Sequence, residues 1–406
     1  MTPRALLGVV LFMACGRTDP YEPAPTPSLP APDAGAPFDA GGPACRPECG
    51  PNSVCADGFC SCNPGFVDCN GVRADGCEAQ LDRDPQNCGA CGAACGAALN
   101  VCTAGKCATA TWVELTPMRS PPGRSFFPSA FDSTRQRGVI FGGQSSANTM
   151  LRDTWEWNGT TWLQVMTADA PPARRAASMV YDEGRGVVVL FGGSVSTSEC
   201  GPDVRNDTWE YNGTAWRRVT PARSPAARTE PILVYDGARR VVVMFGGSTC
   251  SLSCPSETWE YDGTTWSQRS PPRSPPARCD WSGAYDVRRQ RFVVFGGGGS
   301  AGPVNDTWEF DGATWVERTQ PASPPARFNL ALTWSPARGA VVLYGGRAAT
   351  DFGDTWEWDG SRWNDVVTQQ RPPPRSGHTL FTDALGRAVM FGGWSGIAET
   401  WRYEVQ

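Results

Sequence analysis

The 406-residue chain has one histidine, His378. Any centre that needs two imidazole ligands is therefore excluded, and no nucleophile elbow, phosphate loop or zinc signature appears. Basic charge is also short: 36 Lys and Arg stand against 41 Asp and Glu, for a net charge of −5. That balance argues against a nucleic-acid partner, which normally requires a basic face. A membrane-spanning helix would need roughly 20 apolar residues, and the apolar stretch at residues 5–13 is far shorter.

What the chain has is repetition. The segment Asp207-Thr-Trp-Glu-Tyr-Asn-Gly-Thr-Ala-Trp216 returns as near copies from Asp153, Glu257, Asp306 and Asp354, and in truncated form from Glu399. Its alternation, with Trp209 and Tyr211 on one face and Thr208 and Glu210 on the other, predicts a strand. The central Asn-Gly or Asp-Gly tolerates the positive φ of a tight primed turn, so each copy reads as a β-hairpin.

Upstream of each hairpin lies an apolar run closed by two glycines, at 139–143, 187–193, 241–247, 292–297, 340–346 and 388–393. Such runs suit strands covered on both faces. Further upstream stand Arg124, Arg174, Arg228, Arg278, Arg327 and Arg375, each opening a semi-apolar stretch. One unit is therefore four strands, and repeats of this length read as propeller blades. All seventeen tryptophans fall in the repeats.

The Gly-Gly pair, the aromatic spaced after it and the period resemble the kelch family, which is a β-propeller. The expected fold is all-β: a six-bladed propeller over 108–406, preceded by small disulfide-rich modules. The sixth unit stops after its third strand, while Thr111-Trp112-Val113-Glu114 forms an orphan fourth strand ahead of the first unit. The N-terminal strand is expected to complete the last blade and remove the exposed edge of an open array.

Residues 1–15 carry an export signal. Ala14-Cys15 at its end resembles the bacterial lipoprotein signal, which implies acylation of Cys15; an ordinary secretory signal cleaved nearby is the alternative. Residues 16–44, rich in Pro and Ala, read as an extended tether. Of seventeen cysteines, setting Cys15 aside leaves even numbers in both remaining regions. Cysteines this dense in an exported chain read as disulfides.

Cys45, Cys49, Cys55, Cys60, Cys62 and Cys69 resemble an EGF-like module over 45–69. That resemblance implies the pairs Cys45–Cys55, Cys49–Cys60 and Cys62–Cys69. Gly42-Pro43-Ala44 stand where the calcium-binding subset carries acidic residues, so no calcium is expected. Cys77, Cys88, Cys91, Cys95, Cys102 and Cys107, in a second module over 70–107, are similar to short Cys-rich modules of bacterial surface proteins. Their order does not fix the pairing, and disulfides are expected there rather than zinc. No cofactor is called for.

In a four-stranded antiparallel blade, the turns between strands one and two and between three and four share a face, and here they are short. The opposite connections vary in length and content, which marks them as a binding surface. Cys200, Cys250, Cys254 and Cys279 belong to that variable face. Two pairings are open: Cys200–Cys250 with Cys254–Cys279, or Cys250–Cys254 with Cys200–Cys279.

The six repeated arginines begin the innermost strands. The kelch resemblance implies that they could contact acidic partner peptides at the channel mouth. Alternatively they serve each blade by pairing with Asp153, Asp207, Glu257, Asp306, Asp354 and Glu399, as a residue present in every copy ordinarily does. Places where the copies disagree are better candidates for a ligand: Phe126, Phe127, Glu230, Asp280, Trp281, Asn329, His378 and, in the loop of blade six, Trp394. Aromatics beside carboxylates and an amide could hold a sugar or an extended peptide. The plain readings are that Trp281 fills a blade interface and that His378 is an ordinary strand histidine.

The sequence thus reads as a monomeric cell-surface or secreted binding and adhesion module for a protein or polysaccharide, touching the membrane only through its lipid. The alternative is a carbohydrate-active enzyme using Glu230 and Asp280 as acid and base. Copper radical oxidases of the kelch type need two histidines and are excluded.

Overall fold

The computed structural model describes residues 49–406 apart from 51, 57–58, 73–75, 97–98, 199–200, 250–253, 300–301 and 320–321. The signal, the tether, Cys15, Cys45, Cys200 and Cys250 lie outside the described residues. No helix forms among those described.

Six four-stranded antiparallel sheets are present, five of them built in chain order from the inside outward. Blade 1 comprises Ser129–Asp132, Arg137–Phe141, Thr154–Trp157 and Trp162–Val165. Blade 6 takes Thr379–Thr382, Ala388–Phe391 and Thr400–Val405 from the C-terminal end and Ala110–Leu115 from the N-terminal end. The closing pair registers Tyr403 opposite Trp112 and Thr400 opposite Leu115. The Gly-Gly-closed runs are buried almost throughout, because each second strand is sandwiched between neighbouring blades.

The hairpins differ in one respect from a tight primed turn. Trp157 pairs with Trp162, so four residues make the connection, and only Gly159 takes positive φ. Asn158 Oδ1 accepts from the backbone N–H groups of Thr160 and Thr161 at 2.9 Å, and this local side-chain bond replaces the two-residue turn.

Two six-fold devices join blade to blade. The fourth-strand tryptophan of every blade donates its indole N–H to the threonine that opens the third strand of the preceding blade. The pairs are Trp162–Thr400, Trp216–Thr154, Trp266–Thr208, Trp315–Thr258, Trp363–Thr307 and Trp112–Thr355, at 2.8 to 3.1 Å. Burial of the indole would be costly without that partner.

The second device is the glycine pair. In blade 1, Gly142 and Gly143 have φ of 59° and 98°, and a Cβ on Gly142 would lie 2.7 Å from the Arg174 carbonyl oxygen of the next blade. Only glycine admits that approach.

The cysteine-rich region departs from expectation. Cys49–Cys60 forms as the EGF-like resemblance implies, but Cys62 pairs with Cys77 and Cys69 with Cys91. Cys62–Cys69 is therefore corrected, and two bridges cross the expected boundary at residue 69, tying the two modules together. Cys88–Cys102 and Cys95–Cys107 complete the described pairs.

This region is also seated on the propeller rather than standing clear of it. Val101 joins the core cluster of Val366, Ala388 and Tyr403. Asp84 forms an ion pair with Arg362, Thr103 Oγ1 accepts from Arg338 Nη1 at 2.5 Å, and Arg83 Nη1 donates to the Gly339 carbonyl at 3.0 Å. Arg338, Gly339 and Arg362 belong to the short turns of blade 5, so the module occupies the face opposite the variable loops.

Candidate functional site

The six arginines do not line the channel mouth. Their side chains are buried, and each pairs with the acidic residue just before the third strand of its own blade: Arg124–Asp153, Arg174–Asp207, Arg228–Glu257, Arg278–Asp306, Arg327–Asp354 and Arg375–Glu399. In blade 2, Arg174 reaches Asp207 with two parallel bonds of 2.7 and 2.8 Å, the Gly192 carbonyl at 2.8 Å and the Pro172 carbonyl at 3.2 Å. The planar guanidinium satisfies all of these at once. Burial acts to raise the Asp207 pKa, but the hydrogen bonds and charge of Arg174 and the Trp209 indole outweigh it and hold the carboxyl below its ordinary range. Of the two roles open from sequence, service to the blade is the one found. The arginines are corrected as ligand-contacting residues, because their donors are spent inside the blade.

What surrounds the mouth is the residue two places after each arginine. Phe126, Ala176, Glu230, Asp280, Asn329 and Gly377 all have φ between 51° and 64°. Their backbones form a belt across the blades. Ala176 N–H donates to the Phe126 carbonyl at 2.7 Å, Glu230 to Ala176 at 2.7 Å, Asn329 to Asp280 at 2.8 Å, Gly377 to Asn329 at 3.1 Å and Phe126 to Gly377 at 3.1 Å. The left-handed conformation carries these five hydrogen bonds from blade to blade, and five of the six positions bear it without glycine's freedom.

One place further on, the side chains turn into the gaps between blades. Phe127, Trp281, Leu330 and His378 pack over the first glycine of the preceding blade's pair. Trp281 is 6% exposed and lies 4.5 Å from Phe245, ring centre to ring centre, so it fills an interface. His378 is 7% exposed, edge-on to Tyr344. Burial, with the nearby Arg375 charge, pushes its pKa down to about 3, so the ring stays neutral.

The mouth has two unlike halves. Blades 3 to 5 contribute Glu230, Asp280 and Asn329, and Asp280 follows Cys279, whose disulfide to Cys254 ties it to the loop of blade 3. That bond agrees with the first of the two propeller pairings and excludes Cys250–Cys254 and Cys200–Cys279; Cys200 and Cys250 are outside the described residues. On the other half, Trp394 stands edge-on to Phe126 with ring centres 5.1 Å apart. Among the described residues it is the one exposed tryptophan, at 48%. The Arg175 guanidinium lies 5.3 Å from the Phe126 ring centre and donates to Gln144 Oε1 and the Thr197 carbonyl, each at 3.1 Å. Sequence reasoning passed over Arg175, which directly follows a repeated arginine and could have been found as a cation that the other repeats do not carry.

Inside this mouth the channel has a volume of about 220 Å³, against about 610 Å³ at the opposite end. The wide end is ringed by Phe131, Tyr181, Tyr235, Tyr285 and Trp334. Among them Tyr181 donates to Thr134 Oγ1 at 2.7 Å, and Tyr235 accepts from the Gly184 N–H at 3.0 Å, each across a blade boundary. These two tyrosines staple neighbouring blades.

Residues 189–393, about half the chain, match the family described as the KLHDC2/KLHL20/DRC7 Kelch-repeats domain. The chain belongs to the kelch-repeat family. No curated protein matches it. Kelch propellers typically serve as protein-binding scaffolds, and in this kelch chain the six repeats carry unlike side chains at the narrow mouth.

Proposed function

We propose that this kelch protein is an exported, lipid-anchored bacterial surface module that holds a protein partner at the narrow mouth of its propeller. One observation carries the reading. Six backbone positions of identical left-handed geometry converge there, yet they bear Phe126, Ala176, Glu230, Asp280, Asn329 and Gly377, with the exposed Trp394 beside them. Identical backbones with unlike side chains are what a recognition surface on a symmetric scaffold requires. The opposite face is partly covered by the chain's own cysteine-rich module, which leaves the variable loops to meet a partner. Residues 1–15 and the many disulfides support export, since disulfides persist in oxidising compartments. A polysaccharide ligand is the second outcome of the same test. No observation at the mouth favours carboxylate acid–base chemistry over binding.

The test is a paired peptide and glycan array probed with the full chain and with Trp394→Ala and Phe126→Gly. Gly377 at the equivalent backbone position shows that glycine is accepted there. Binding by the wild type that falls tenfold or more in both variants supports the mouth. Binding unchanged in both places the ligand elsewhere.

A further inference from the structure

We propose that the wide end of the channel is a second binding site, separate from the mouth, for an uncharged small molecule built on aromatic rings. At about 610 Å³ the space falls within the roughly 300–1,000 Å³ usual for small-molecule sites. Its aromatic lining is a product of register. Phe131, Tyr181, Tyr235, Tyr285 and Trp334 hold the same position of the first strand in blades 1 to 5, opposite Gly138, Val188, Val242, Phe292 and Val341 of the second. Blade 6 has Thr382 there, opposite Ala388, so the ring of aromatics has a gap. The turns of blades 4, 5 and 6 add Val287, Pro336 and Leu385 to the rim, and Val287 and Leu385 are exposed. Stapling accounts for two of the tyrosines, whereas Phe131 has no hydroxyl to staple with.

The polar side chains of this wall are largely engaged within the protein. Besides the two tyrosine bonds, Thr382 Oγ1 donates to the Trp334 carbonyl at 2.6 Å, and Asp383 accepts from the Arg387 side chain and from the backbone N–H groups of Leu385 and Arg387. Glu183 accepts from Ser133 Oγ at 2.6 Å. Among the described residues no Lys, Arg or His lines the cavity, so an anion would meet two carboxylates and no cation in the wall. A hydroxyl-rich sugar would give up water for side chains that already have partners. Flat rings gain instead, through face and edge contacts with the lining aromatics and through removal of apolar surface from water. The cysteine-rich module sits on the same face, yet among the described residues it contributes none to the lining and does not stopper the cavity.

The experiment titrates the full chain, disulfides intact, into a trace of N-phenylnaphthylamine, a neutral dye that brightens in apolar surroundings. A parallel titration uses anilinonaphthalenesulfonate, the same ring system carrying one sulfonate. The expected result is saturable binding of the neutral dye, at least tenfold tighter than that of its sulfonated counterpart. Thr382→Tyr, which copies the tyrosine of blades 2 to 4 and closes the gap in the ring, should weaken the neutral dye at least tenfold. Leu385→Glu, a change at an exposed rim position, should weaken it at least threefold and decides the matter alone if Thr382→Tyr alters the circular dichroism spectrum. Trp394→Ala, at the other end of the channel, should not move the dye. No saturable binding of the neutral dye up to about 100 μM protein, equal or tighter binding of the sulfonate, or unchanged affinity in Leu385→Glu or in a folded Thr382→Tyr overturns the inference. If Trp394→Ala abolishes dye binding, the dye reports the mouth, and the wide-end site falls while the mouth stands. Failure of the mouth variants to affect peptide binding would leave the wide-end site as it is.

Discussion

Arg174 and Asp207 show why nearly all of this chain's basic residues are arginine; of the 36 Lys and Arg, only Lys106 is lysine. A guanidinium can meet a carboxylate side-on and still reach the Gly192 and Pro172 carbonyls, whereas an ammonium group cannot present that fork. Removing one partner strands the other as a buried charge. Arg174→Met should therefore cost about 3–5 kcal/mol, and Arg174→Met with Asp207→Leu distinctly less. Urea unfolding of the two variants checks this, and equal losses would contradict it. His378 gives a residue-scale pH dependence. Its folded pKa is about 3, against an ordinary value of 6.5, so the unfolded chain binds a proton that the folded one refuses. Stability is full above the unfolded value and is lost as pH falls towards the folded one. Between about pH 7 and 5, above the carboxylate range, the loss should be about 2 kcal/mol. His378→Leu, which copies Leu330 at the equivalent position of blade 5, should flatten the thermal midpoint over that window. A slope that persists in the variant would assign the effect to another group.

At the scale of the strand, the ring of tryptophan-to-threonine bonds makes the N-terminal segment a working part of blade 6. Trp112 donates to Thr355 at 2.9 Å as its five counterparts do to theirs. Without Ala110–Leu115, Thr400–Val405 would present a row of unpaired backbone groups, a template for another chain. A protein beginning at residue 117 is expected to self-associate. A synthetic peptide of residues 108–116 added in trans should restore the monomer, as measured by light scattering after size exclusion. A monomer without the peptide would mean that the edge is protected in some other way. This closure was legible in advance, because a lone Thr-Trp strand at one end and a three-stranded unit at the other can be counted. The hairpin turn was misjudged for a local reason. Asn-Gly reads as a two-residue primed turn, but the threonines that follow give the Asn158 carboxamide a competing pair of N–H donors.

For the molecule as a whole, six-fold periodicity made the propeller readable, and the same periodicity concealed the site. The residues two and three places past each arginine look equally variable in sequence. Only the left-handed turn between them sends Glu230, Asp280 and Asn329 to the mouth and Trp281 and His378 into the blade gaps. Nothing in cysteine order could show that Cys62 reaches Cys77, or that the module would settle on blade 5. A signal for the docking does exist. In five blades an Asp at or just past the end of the first strand pairs with a turn arginine, as in Asp132–Arg135, and blade 5 has Ser335 there instead. Arg338, released from that aspartate, binds Glu357 and turns its remaining nitrogen to Thr103 of the module. The seat therefore holds by one buried valine, one partly exposed ion pair and a few polar contacts. Burial of Val101 contributes about 1.5–3 kcal/mol and the Arg362–Asp84 pair at most about 1 kcal/mol. A protein lacking residues 1–107 should remain folded and melt about 5 °C lower. Its affinity at the mouth should be unchanged, because the module lies on the other face. Differential scanning calorimetry together with peptide titration of the shortened and full chains separates these claims. A loss of affinity on truncation would show that the two faces communicate through the channel wall.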